Sequence, residues 1–289
     1  MTVYNLGSIN ADHVYAVPHL PVAGETLAAT ALQRELGGKG ANQSVAMAQA
    51  GANVVHMGAI GADGAWATER LQQLGVDCSA VATVATPTGH AIVCVDPGGE
   101  NQIVLFPGAN RALPDQVLAP LQHCGAGDWL VLQNETNLQC KAAQIARQRG
   151  ARVAYSAAPF TVEAVQNMLG LCDMIIMNAG EAAQLSRALG CDMGQLPVPV
   201  VVVTRGAEGA DWHDTRNAQQ ISVPAHKVQP IDTTGAGDTF AGFLIAALHA
   251  GASATAALQL ASAAAALKVT RPGTADAIPS MAQVQAFMA

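Results

Sequence analysis

The chain has 289 residues, of which 51% are apolar and only 12% charged; 14 Lys and Arg against 21 Asp and Glu leave a net charge of −7. A chain of this length can bury roughly three quarters of its unfolded surface, and the composition excludes a disordered protein. The acidic balance, without any basic run, argues against a nucleic-acid partner.

The six cysteines (Cys78, Cys94, Cys124, Cys140, Cys172 and Cys191) are widely spaced with no C-x-x-C pair. Neither a zinc site nor a disulfide framework is expected, and they read as reduced, mostly buried thiols of a cytosolic protein. Met1–Leu6 has no basic leader, and the most apolar C-terminal stretch is broken by His249, Gly251, Ser253, Thr255 and Gln259. The expectation is a soluble protein with no signal peptide and no membrane span.

In chain order, short apolar runs predict strands over Val3–Ile9, Asn53–Ile60, Trp129–Gln133, Arg152–Tyr155, Met174–Met177 and Val198–Thr204. Helical periodicity falls at Ala41–Ala50, Trp66–Leu74, Leu138–Gln148, Val162–Leu169 and Ala182–Leu189, and then in two long segments, Ala236–His249 and Ala254–Lys268. This alternation predicts a mostly parallel sheet with helices on both faces. Two segments break the rhythm. Asp12–Leu36 carries Pro18, Pro21 and Gly24 with β-like runs, and Gly89–Phe106 reads as a hairpin turning at Asp96–Gly99. The hairpin is apolar on both alternating faces, so both require cover, from the chain's own core, a ligand or a second subunit.

Three constellations carry chemistry. Asn10 and Asp12, after the first strand, project to one side of an extended chain and could grip a polyol, although taken alone they read better as a plain turn. Gly37-Gly-Lys-Gly-Ala-Asn42 opens a helix with three glycines around Lys39. It lacks the Ser/Thr of a Walker A loop, and Gln43 stands where the dinucleotide fingerprint needs glycine. The most informative segment is Asp232-Thr-Thr-Gly-Ala-Gly-Asp-Thr-Phe240, followed by Phe243, Leu244, Ala247 and Leu248 at the spacing of a buried helix face. Small residues opening a helix leave N–H groups free to bind an anion. A carboxylate beside such a pocket suits one task, taking a proton from a hydroxyl while the pocket holds a phosphoryl group.

These three segments, in this order and separation, resemble the ribokinase-type (PfkB) carbohydrate kinases, and the resemblance runs from Val3 to about Pro279. It implies a single three-layer α/β sandwich over 1–289 with a mostly parallel central sheet and a small β-sheet lid inserted at about 12–36 and 89–106. It also implies ATP, Mg²⁺ and phosphorylation of a sugar's primary hydroxyl, with D-ribose the leading substrate. By position, Asp238 resembles the catalytic base, and Gly235, Ala236 and Gly237 the anion hole. Asn10, Asp12, Gly38, Lys39, Gly40, Asn42 and Glu135 resemble the sugar-binding set. Asn178, Thr204, Arg205, Gly206, Gly209 and Ser262 match nucleotide-binding positions, with Glu181 tied to magnesium through water. Asp232, Thr234, Lys268, Arg271 and Gly273 align with a loop for a monovalent cation, K⁺, mostly through backbone carbonyls. Two departures stand out: Ser156 replaces an asparagine, and Ala277 falls where a serine oxygen belongs.

The two-faced hairpin points to a homodimer formed through the lid. Other readings are a kinase of fructose, 2-keto-3-deoxygluconate or a nucleoside, and a non-catalytic sugar-binding protein. The last has no use for both Asp238 and its glycine loop. The eight histidines lack metal spacing and read as surface or packing residues.

Overall fold

A computed structural model describes residues 1–289. The chain runs β1 (Val3–Leu6), β2 (Asn10–Ala16), β3 (Ala31–Gly37), α1 (Lys39–Gln49), β4 (Val54–Ile60), α2 (Ala65–Gln73), β5 (Asp77–Thr83), β6 (Gly89–Val95) and β7 (Asn101–Phe106). It continues through β8 (Trp129–Gln133), α3 (Gln139–Gln148), β9 (Arg152–Ser156), α4 (Val162–Met168), β10 (Met174–Asn178), α5 (Ala179–Leu189) and β11 (Val200–Thr204). It closes with β12 (Ala210–Asp214), β13 (Gln219–Val223), α6 (Ala236–His249), α7 (Ala254–Lys268) and α8 (Met281–Met288).

Nine strands form the main sheet in the order β13-β12-β11-β10-β9-β8-β1-β4-β5, parallel except at β12, which runs antiparallel to both its neighbours, β11 and the edge strand β13. The order departs in both directions from β1, so the crevice beside β1 and β8 is the topological switch point at which such sheets bind ligands. Strand residues alternate between two cores. Val3, Trp129, Val131 and Ala154 pack with α1, α2, α6 and α7. Tyr4, Leu6, Leu130 and Leu132 pack with α3, α4 and α5 on the opposite face. The result is the three-layer α/β sandwich that the alternation predicts.

The predicted strand Val3–Ile9 is in fact two. β1 stops at Leu6, Gly7 crosses over, and β2 starts at Asn10 in a separate four-stranded sheet, β3-β2-β6-β7. The crossing is tight, because a Cβ built on Gly7 would lie 2.4 Å from Gly40 Cα. Both rhythm-breaking segments supply strands to this second sheet. β7 remains largely uncovered, however: all six of its residues are exposed, Val104 by 65%, and Phe106 alone stacks on a ring, that of His90.

The helices α1 and α6 meet without side-chain spacing. A Cβ on Gly242 would fall 2.4 Å from Ala46 Cβ and 3.0 Å from Gln43 O. Gly242 lies one turn beyond Asp238, and Ala46 one turn beyond Asn42. This crossing therefore brings the first turns of the two helices face to face.

Candidate active site

Asp238 occupies the first turn of α6, 7% exposed. Gly235 precedes it as N-cap in the left-handed region (φ 72°), which a glycine enters without strain. Gly235, Gly237 and Asp238 donate their backbone N–H to no protein group, while Ala236 N donates to Thr233 O at 3.2 Å. No atom lies within 4 Å of a Cβ built on Gly237. Three free donors, an open approach and the positive end of a helix make an anion site.

The carboxylate of Asp238 is fixed by α1. Asn42 Nδ2 donates to Oδ2 at 3.1 Å and Gln43 Nε2 to Oδ1 at 3.0 Å. Each oxygen retains lone-pair capacity for a further hydrogen bond. Asn42 Oδ1 is buried and has no partner, an acceptor left for a ligand hydroxyl.

Gln43 is itself held from behind. Gln133 Nε2 donates to Gln43 Oε1 (2.8 Å) and to Asn5 Oδ1 (2.9 Å). Asn5 Nδ2 donates to Ser44 Oγ at 2.7 Å, and Ser44 Oγ meets His56 Nδ1 at 2.8 Å. His56 Nε2 lies 3.2 Å from Gly7 O, a carbonyl that can only accept. The proton is therefore on Nε2, and Ser44 donates to Nδ1. Burial pushes the His56 pKa down to about 4, against the opposing bond to Gly7, which keeps the ring neutral at neutral pH. Asn5, Gln43, Ser44 and His56 are all completely buried. Sequence reading assigned none of them a role. The available signal was a polar residue inside an apolar strand, since register sets Asn5 directly opposite His56.

The sugar-binding candidates converge on the same crevice. Asn10 lies in a strand rather than a turn and accepts from Asn110 Nδ2 at 2.7 Å, while Asn110 Oδ1 accepts from Ile9 N at 2.9 Å. Asp12 packs over Gly37, where a Cβ would come within 1.9 Å of Oδ2. Its pKa is pushed up to about 7, by burial first and then by the negative charges of Glu35 and Glu135. Gly40 presses on the Gly7 backbone (2.4 Å from a built Cβ), and Gly38 adopts φ 93°. Glu135 does double duty. It accepts from Lys39 N at 3.1 Å and from Ser8 Oγ, capping a helix whose N-cap, Gly38, has no side chain to offer. The Lys39 ammonium is stabilised chiefly by Asp238, with burial opposing and Glu135 and Glu181 adding.

On the nucleotide side, Asn178 and Thr204 pair at the carboxyl ends of β10 and β11. Asn178 and Glu181 form a reciprocal capping box: Glu181 N donates to Asn178 Oδ1 (2.9 Å) and Asn178 N to Glu181 Oε2 (2.8 Å). Burial raises the Glu181 pKa, opposed by the Asn178 N–H and by Lys39. Arg205 pairs with Asp211 and lies 3.8 Å from Glu208. Gly209 (φ 114°) allows β12 to approach β13, and Ser262 donates to Pro224 O at 3.3 Å.

The loop aligned with a monovalent cation is built around a buried lysine. Asp232, Thr234, Lys268, Arg271 and Gly273 come together through backbone hydrogen bonds and a lysine side chain. Lys268 O accepts from Arg271 N at 3.0 Å, and the Arg271 guanidinium reaches Gln283 at 3.1 Å. Asp232 Oδ1 and Oδ2 accept from Thr234 N (2.8 Å) and Gly273 N (2.9 Å). The Lys268 side chain, 0% exposed, turns inward and donates to Asp232 O at 3.2 Å, with Oδ2 3.9 Å away. Ala277 adds no side-chain oxygen. Two unit positive charges about 4 Å apart repel by about 4 kcal/mol at an effective dielectric near 20. These residues therefore do not fit a second cation beside the ammonium.

A buried, clamped carboxylate facing an anion site at the switch point of an α/β sandwich defines a class, enzymes that transfer a phosphoryl group to an alcohol. Known proteins agree. The description "pfkB family carbohydrate kinase" matches residues 2–281. The chain is 36% identical to a ribokinase of Haemophilus influenzae, covering 99% of this chain and 98% of that protein. It is 30% identical to a deoxyribokinase of Salmonella typhi, covering 100% and 99% respectively. Its fold superposes on a ribokinase of Arabidopsis thaliana, solved with ribose and ATP, with a TM-score of 0.89 at 28% identity, covering 99% and 98%. The chain belongs to the pfkB family of carbohydrate kinases.

Asp12 generates a pH prediction. An ionised carboxylate accepts hydroxyl hydrogen bonds more strongly than a protonated one, so sugar affinity should fall as pH drops below about 7. Glu35→Gln removes one raising charge and should move that midpoint to lower pH. Calorimetric titration with ribose across pH 5.5–8.5 measures both; affinity independent of pH would contradict the assignment.

Proposed function

We propose that the protein phosphorylates the primary hydroxyl of free D-ribose with ATP, giving ribose 5-phosphate. The observation that carries this reading is the Asp238 carboxylate, held by Asn42 and Gln43 beside three unpaired backbone N–H groups. The ribokinase relatives support ribose as acceptor.

Asn10, Asp12, Lys39, Asn42 and Glu135 hold the sugar hydroxyls and direct one CH₂OH group toward Asp238. Asp238 takes the hydroxyl proton as the oxygen attacks, a role worth roughly 10²–10⁴-fold in rate. The N–H groups of Gly235, Gly237 and Asp238, at the N-terminus of α6, stabilise negative charge on the phosphoryl group in flight. The Lys39 ammonium, already favoured by Asp238, Glu135 and Glu181, sits among the charges of the crevice. Asn178, Thr204, Gly206, Gly209 and Ser262 form the nucleotide side. Its fit to ATP rests on the free donors and the open space before Gly237. Magnesium, when bound with the nucleotide, supplies further charge neutralisation; Glu181 would hold it through water, and the rest of its ligands would be phosphate oxygens and waters.

The second sheet acts in this reading as a lid within one sandwich domain. Ile103, Val104, Leu105 and Phe106 on β7 stay exposed in the single chain, which supports a homodimer formed lid to lid. A cytoplasmic location agrees with the thiols, none of which is paired, and with the absence of any helix long and apolar enough to cross a membrane.

Asp238→Asn should lower kcat at least 10²-fold while ribose binding stays measurable; unimpaired turnover would refute the base assignment. Assayed against ribose, 2-deoxyribose, fructose, 2-keto-3-deoxygluconate, adenosine and pseudouridine, the wild type should give its highest kcat/KM with ribose. A clear preference for deoxyribose would favour the reading suggested by the Salmonella relatives.

Sedimentation at micromolar concentration should return a dimer, converted to monomer by Val104→Asp. A monomeric wild type would end the lid-to-lid proposal.

A further inference from the structure

We infer that Lys268 is a built-in monovalent cation: its ammonium holds the Asp232–Thr234 loop, and with it the anion hole, so that phosphoryl transfer needs no added K⁺. The inference rests on the kinase reading above, and goes beyond it in assigning a positioning residue outside the reacting groups.

Lys268 ends α7, and its side chain is completely buried, a state in which a charge persists only when it is paired. Its hydrogen-bond acceptor is Asp232 O at 3.2 Å, with the Asp232 carboxylate at 3.9 Å. Asp232 organises the loop that follows it. Oδ1 accepts from Thr234 N at 2.8 Å, one residue before Gly235, and Oδ2 accepts from Gly273 N at 2.9 Å. Ile231 N (2.7 Å) and Asp232 N (3.1 Å) both donate to Val269 O, tying the loop to the residue after Lys268. The ammonium thus stands directly behind the turn that aims Gly235, Gly237 and Asp238.

Glu35 is the second anion favouring the charge, and it lies near Gly273, where a built Cβ would come within 3.6 Å of Oε2. Burial lowers the Lys268 pKa while Asp232 and Glu35 act to raise it. A bare cation with the same charge could satisfy the same oxygens, but the lysine tail brings this one permanently into place. It needs no free ligand and has no dissociation equilibrium.

The test uses the intact protein in buffers of equal ionic strength, with either K⁺ or tetramethylammonium as the only monovalent cation. Wild-type kcat should differ by less than about twofold between them, whereas tenfold or greater activation by K⁺ would overturn the inference. Lys268→Ala opens room for an ion. Its kcat in tetramethylammonium should fall at least roughly tenfold and be regained with K⁺ or NH₄⁺. Lys268→Met fills the same space without charge and should lose activity that neither ion restores. A folded Lys268→Ala protein with wild-type kcat in tetramethylammonium would equally overturn the inference; if neither variant folds, the wild-type comparison decides. Thermal melting separates this idea from the choice of substrate. K⁺ should raise the Tm of Lys268→Ala but not of the wild type, whichever sugar proves to be the acceptor, and a wild-type Tm that rises with K⁺ would count against it.

Discussion

Two side-chain amides on one helix donate to the two oxygens of a carboxylate on another, and the rest of the site is arranged around that clamp. Asn42 and Gln43 open α1, Asp238 opens α6, and the bonds between them are 3.1 and 3.0 Å. A carboxylate buried at a helix N-terminus gains from the dipole but loses its water. Donors that are themselves held in place compensate for that loss and fix the direction of the remaining lone pairs. Gly242 makes the arrangement possible, since any side chain there would collide with Ala46 and separate the two helices. The buried relay from Gln133 through Asn5 and Ser44 to the neutral ring of His56 then leaves Gln43 one orientation, with its amide nitrogen toward Asp238.

Charge in the crevice is balanced over short range. Lys39 faces Asp238, Glu135 and Glu181, and Asp12 is pushed by burial, and then by Glu35 and Glu135, to a pKa of about 7. Lys268 sits on the far side of the Asp232 loop, so the anion hole lies between two lysines on different elements. The chain is acidic overall, yet it sets Lys39 close to Asp238 and Lys268 behind the Asp232 loop, where negative charge has to be balanced.

Much of this was legible in the sequence, and the failures have physical reasons. α6 and α7 have the predicted bounds, because apolar periodicity, a glycine or serine N-cap and a helix-compatible interior agree at each end. The buried parallel strands were found from their apolar runs. β5, β12, β13 and α8 were missed: Asp77–Thr83 is built of small, half-exposed residues, Ala210–Asp214 and Gln219–Val223 form a largely polar pair at one side of the sheet, and Met281–Met288 is short. The three glycine and carboxylate segments named the site because backbone conformation imposes local residue choices. The relay of Asn5, Gln43, Ser44, His56 and Gln133 left no such trace, since its members lie on four elements and meet only through tertiary packing. The inward turn of Lys268 was equally invisible, because spacing locates a backbone carbonyl but not the direction of a side chain.

The central claim is that the clamp presents Asp238 to the hydroxyl that receives the phosphoryl group. A crystal structure of the protein with ribose and a non-hydrolysable ATP analogue tests it most directly. The account predicts the sugar's primary oxygen within about 2.6–3.2 Å of an Asp238 carboxylate oxygen, with the γ-phosphate analogue against the N–H groups of Gly235 and Gly237. A primary hydroxyl directed away from Asp238, or a carboxylate released from Asn42 and Gln43 in that complex, would contradict it.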